Sequence, residues 1–191
     1  ESETQFPADV VAAVKATADA KYHVYQRNGK NHHVIHAVGP NFNRTPPFTR
    51  IEAAEALGVA YRNLFHEFVA SGQPELRLLP LSGGIFAGPF APEIPALTFE
   101  GIRDGFAALP TSKQQELTRR RVGLCIFMEK ELAAFGAAGF RIEASTQGRA
   151  AHQPAAVQSV QLDPPRMSPD RSRVKPSRAD EPNHVSGTPQ D

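Results

Sequence analysis

Apolar positions along this chain change period several times, and each change predicts an element. Val10, Val11 and Val14 stand at helical spacing in an alanine-rich stretch, which predicts a helix over Ala8 to Ala16. Two runs of strand character follow, Lys21-Tyr22-His23-Val24-Tyr25-Gln26 and His32 to Val38, on either side of Arg27-Asn28-Gly29-Lys30. Asn-Gly is the strongest short hairpin signal, because both residues tolerate positive φ. The second run is nearly continuous in apolar residues, as expected for a strand covered on both faces. Beyond a loop over Pro40 to Pro47, Thr49-Arg50-Ile51-Glu52 has capping-box spacing. The helix it opens, Glu52 to Ser71, carries an apolar face of Ala53, Leu57, Ala60, Tyr61, Leu64 and Phe68, with Gly72 suited to its C′ position.

The second half alternates in the same way. Leu76 to Leu81 predicts a short buried strand, and Glu93 to Leu109 repeats a helical face through Ile94, Leu97, Ile102 and Phe106 before Pro110. A polar link over Thr111 to Arg120 leads to a strand, Arg121 to Phe127, then to a last helix, Glu129 to Ala138. Strands alternating with helices predict an α/β sheet with crossover helices.

Composition divides the chain. All twelve Phe and three Tyr lie before Arg141, whereas residues 146–191 have no aromatic residue and seven Pro. Such a segment buries too little apolar surface to offset its ordering entropy, so residues 146–191 are expected to be a disordered tail behind a domain over residues 1–145. The domain balances 15 Lys or Arg against 15 Asp or Glu, which gives no basic face and no duplex nucleic-acid signature. The dense basic spot Arg119-Arg120-Arg121 is expected to be a solvated helix end. Cys125, the single cysteine, sits in a buried-strand pattern without zinc spacing. His23, His32, His33 and His36 do not converge with carboxylates at a recognised metal-ligand spacing, so no metal or cofactor is expected. No apolar run approaches membrane-spanning length, which points to a soluble, cytoplasmic setting.

The candidate chemistry lies in Leu78-Leu79-Pro80-Leu81-Ser82-Gly83-Gly84-Ile85-Phe86-Ala87-Gly88-Pro89, an apolar strand that breaks into glycines ahead of a helix. Glycines let main-chain N–H groups approach an anion, and the following helix N-terminus adds positive potential. Upstream stands His33-Val34-Ile35-His36-Ala37-Val38-Gly39-Pro40-Asn41-Phe42. These two motifs in this order, with one helix between them, resemble a macro domain, the ADP-ribose-binding module. The run Val122 to Leu132 is similar to the last core strand and last helix of viral nonstructural-protein macro domains. The likeness extends over residues 20–140.

The resemblance implies a three-layer α/β/α mixed sheet, of which this chain would be the carboxy-terminal part. The family's first strand pair, Asn-Ala-Asn strand end and first glycine-rich loop have no counterpart here. By the same likeness Ser82, Gly83, Gly84, Ile85 and Phe86 would wrap a diphosphate and distal ribose, with Ile85 as hydrophobic anchor. Phe127 and Met128 would stand against the adenine or proximal ribose, and His36 would be a core strand residue. The implied partner is ADP-ribose or mono-ADP-ribosylated protein. Hydrolysis of the modification is expected only where the missing first half is present, and no catalytic residue is assigned; Asn41, Asn43 and Ser82 are the fallback groups. The other expectation is a degenerate macro fold that serves as a structural or protein-interaction element.

Overall fold

Helix α2 (Arg50–Ala70) is the spine of the computed structural model, which describes residues 6–143 and the strand Gln158–Gln161. Its start is fixed by the expected capping box: Thr49 Oγ1 accepts from the Glu52 N–H, and the Glu52 carboxylate accepts from the Thr49 N–H at 2.7 Å. Its end turns at Gly72, with φ of 73°. Between these points Leu57, Tyr61, Phe65 and Phe68 are fully buried and form the centre of the core.

On one side of α2 lies a hairpin, β1 (Ala20–Arg27) and β2 (Lys30–Ala37), preceded by the short helix α1 (Ala8–Ala13). Asn28 and Gly29 have φ of 53° and 68°, the paired positive values of a two-residue turn whose twist matches its strands. Side chains of α2 hold the outer edge of β1. Glu67 accepts from the Tyr22 N–H at 2.8 Å, and Asn63 donates to the Ala18 carbonyl at 2.9 Å.

After α2 come β3 (Glu75–Leu78), a 3-10 segment (Ile85–Glu93), α3 (Ile94–Ala107), α4 (Thr111–Leu117), β4 (Arg121–Ile126), α5 (Glu129–Ala137), β5 (Arg141–Glu143) and β6 (Gln158–Gln161). They form a sheet in the order β3-β4-β6-β5, with β3 and β4 parallel and the other pairs antiparallel. Helix α3 lies against α2 at glycines. A Cβ on Gly105 would meet the Gly58 carbonyl oxygen at 2.8 Å, and one on Gly101 would meet Leu57 Cβ at 2.8 Å. Arg50 ties the two helices at the surface, donating to Glu93 at 2.9 Å and to both oxygens of Glu100 at 2.6 and 3.0 Å.

The α/β class expected from the sequence is the class observed, but the single mixed sheet is not. The hairpin is a separate sheet, unpaired with β3 among the described residues. Residues of β2 and β3 line opposite sides of a groove instead of bonding to each other. Strand β2 is half-buried rather than covered on both faces. The polar link over Thr111 to Arg120 is helical, anchored by buried Leu117. Within the segment expected to be disordered, Gln158–Gln161 forms β6 between β4 and β5; the rest of residues 146–191 lies outside the described residues.

Arg120 also departs from the expected solvated helix end. Its guanidinium donates to the carbonyls of Phe68 and Gln73 at 2.9 and 3.2 Å, and so caps the carboxyl end of α2. No helix among the described residues is long and apolar enough to cross a membrane.

Candidate functional site

The loops that follow β2 and β3 are bonded to each other. Ser82 sits at φ of 59° and its buried hydroxyl donates to the Pro40 carbonyl at 2.6 Å. Asn43 Nδ2 donates to the Ile85 carbonyl at 2.7 Å, and the Phe42 N–H donates to the Phe86 carbonyl at 2.9 Å. Asn41 Oδ1 accepts from both the main-chain and side-chain N–H groups of Asn43. Gly39 is required here, since a Cβ on it would lie 2.7 Å from Ser82 Oγ. These bonds fix the glycine loop against the scaffold and engage the polar groups of Asn41, Asn43 and Ser82.

Beyond the carboxyl ends of β3 and β4 lies a crevice of about 460 Å³. Leu79, Pro80, Gly83 and Gly84 form one wall and Cys125 to Met128 the other. Ile94 and Pro95 from the first turn of α3, and Lys130 and Glu131 from the first turn of α5, close it. The carboxyl ends of parallel strands together with helix N-termini favour anions. The loop's own donors divide in two. The Gly83 and Ala87 N–H groups close turns onto Pro80 and Gly84, whereas the N–H groups of Gly84, Ile85 and Phe86 have no acceptor among the described residues. A Cβ on Gly84 would meet nothing within 4 Å, so that position is open.

The structure thus brings Gly83, Gly84, Phe127 and Met128 together and leaves three expected residues elsewhere. Phe127 is 62% exposed and Met128 47%, so neither is core. Ile85 is 88% exposed and anchors nothing within the described chain, because the 3-10 turn directs it outward. Ser82 and Phe86 line a second, larger groove on the other side of β3. Lys130 and Glu131 were not singled out in the sequence. Their position one turn after a buried strand is the signal that could have found them, since residues there face the crevice at the strand end.

Cys125 is buried, and that burial pushes its thiol pKa up, away from the reactive thiolate. His36 is half-buried on the hairpin face opposite α2, with its Nε2 2.9 Å from the Tyr25 hydroxyl. Desolvation, with help from nearby His23, lowers its pKa. His23 pairs with Asp9 at 3.0 Å and His33 with the Tyr22 hydroxyl. Among the described residues no cluster of His, Cys, Asp or Glu converges to hold a metal.

The chain matches no family model, no curated protein and no solved structure.

Proposed function

We propose that this chain binds ADP-ribose, free or attached to a protein, in the crevice between the glycine loop and the end of β4. The observation that carries the reading is the Gly84 N–H, unused among the described residues, in a crevice that the exposed ring of Phe127 also lines. The diphosphate accepts from the Gly84 N–H, with the first turn of α3 adding positive potential, while the Lys130 ammonium is offset by the Glu131 carboxylate beside it. Phe127 offers its ring to the purine, a stacking contact of about 1–3 kcal/mol. Open space at Gly84 suits close approach of the ligand to the backbone. No catalytic role is assigned: Asn41, Asn43 and Ser82 are engaged in holding the loops together.

Calorimetric titration of the folded chain with ADP-ribose tests this. Saturable heat is expected, with AMP and ribose far weaker because neither supplies the diphosphate. Gly84→Glu places a carboxylate where the phosphates would lie, and should abolish binding while leaving the melting curve near that of the parent. Absence of heat with the folded parent chain overturns the proposal.

A further inference from the structure

The second groove, of about 940 Å³, runs between β2 and β3, and the hydrogen-bond pattern of the two strands specifies what fits it. In the hairpin, Arg27 and Lys30 flank a two-residue turn and form a bonded pair, so bonded pairs recur at every second residue. The N–H and C=O groups of His33, Ile35 and Ala37 therefore point away from β1. The same alternation sends the Tyr22 N–H outward on the opposite edge, where it is found donating to Glu67. On β3, the Arg121 N–H donates to the Pro74 carbonyl, which turns Pro74, Leu76 and Leu78 toward β4 and turns Glu75, Arg77 and Leu79 outward.

All six of these residues line the groove, and none of their N–H groups has an acceptor among the described residues. Leu64 and Phe68 of α2 also line it. Both strands lead into the loops bonded through Ser82 and Pro40, so they run in the same direction and the groove is closed at that end.

We infer that this groove takes one extended polypeptide strand from a partner protein, inserted between β2 and β3 with main-chain bonds to both edges. Two facing rows of alternating donors and acceptors match an extended backbone, whereas a helix satisfies its own main chain and has nothing to give them. His33 to Ala37 spans about 13 Å at about 3.3 Å per residue, so the inserted stretch is about five residues long. Its residues alternate: apolar toward Leu64 and Phe68, polar on the other side, beside the ion pair of Arg77 and Glu75 at 3.0 Å.

The probe is a capped peptide of alternating valine and threonine, titrated to millimolar into the full chain, with amide hydrogen exchange read residue by residue. Exchange at His33, Ile35, Ala37, Arg77 and Leu79 should slow tenfold or more. The same peptide N-methylated at every residue should leave all five unchanged. Arg77→Pro removes an outward N–H that the β4 ladder does not use, and should weaken the peptide at least tenfold at an unchanged melting temperature. Peptide that slows none of these amides overturns the proposal. So does protection already present in the chain alone: independent of concentration, it assigns the groove to this chain's own segments, and rising with concentration, to a second copy.

Discussion

Ser82 donates its hydroxyl to the carbonyl oxygen of Pro40 over 2.6 Å, from a backbone conformation with φ of 59°. The bond joins segments 42 residues apart in sequence and closes one end of the groove between β2 and β3. Two effects oppose each other at this position. Ser82→Ala removes the donor and leaves a carbonyl without its partner, at about 1–3 kcal/mol, while keeping the strained conformation. Ser82→Gly loses the same bond but relieves about 1–2 kcal/mol of backbone strain. Denaturant titration should therefore rank the parent chain first, Ser82→Gly second and Ser82→Ala last; a Ser82→Ala variant as stable as the parent would show that the bond contributes nothing.

Tyr61 predicts a pH dependence. Its hydroxyl is fully buried and accepts from the Leu81 N–H at 3.0 Å; burial pushes its pKa from 10.0 up to about 12. A raised folded-state pKa means that the unfolded chain releases its proton first. The contribution is fully present below pH 10 and is lost as pH rises through about 12, by up to about 3 kcal/mol for two pKa units. Tyr61→Phe should flatten this part of the stability profile, and should cost about 1–3 kcal/mol at neutral pH because the Leu81 N–H loses its acceptor. A variant whose profile between pH 10 and 12 retains the parent's slope would contradict the assignment.

Glycine to alanine changes should have opposite signs in two helices. At Gly105 the new Cβ would lie 2.8 Å from the Gly58 carbonyl oxygen and from the Arg62 nitrogen, so overpacking of about 1–3 kcal/mol outweighs a helix-propensity gain of about 1 kcal/mol. At Gly136 the nearest atom is Ile142 Cγ1 at 3.6 Å, ordinary contact, so alanine should stabilise by about 0.5–1 kcal/mol. Thermal melts of both variants check the pair.

The chain should not release ADP-ribose from a modified protein, even where it binds the free ligand. Holding a water in line with the anomeric carbon supplies many kcal/mol, and the loop groups nearest the glycines are bonded to one another: Asn41 to Asn43, Asn43 to Ile85, Ser82 to Pro40. Label release from a mono-ADP-ribosylated protein should stay at the buffer level. Turnover near that of a macro-domain hydrolase would return catalysis to these residues.

What was legible in the sequence was local. Asn28-Gly29, the Thr49/Glu52 box and the Gly72 stop are decided within a few residues, and the structure has all three. Helix α4 was missed because Leu117 is its only buried residue, too little for a helical face to stand out. Non-local facts were beyond the pattern: the approach of Gly105 to Gly58, the capping of α2 by Arg120, and the failure of β2 to pair with β3. The crevice was half legible. Gly83, Gly84, Phe127 and Met128 meet because each follows the carboxyl end of a parallel strand, whereas Ser82 and Phe86 fall on the far side of β3, which no spacing reveals.

The neighbours of β4 reach it at different times during synthesis. Glu75–Leu78 precedes it in the chain, but Gln158–Gln161, which pairs with its other edge, follows by about thirty residues. At about 5–20 residues per second a ribosome needs roughly 2–6 s to deliver that stretch. Throughout that interval a strand rich in Val122, Leu124 and Ile126 has one edge bare, while the hairpin, α2 and α3 already have their partners. The nascent chain is therefore most exposed to chaperone capture, and to aggregation through that edge, late in its translation.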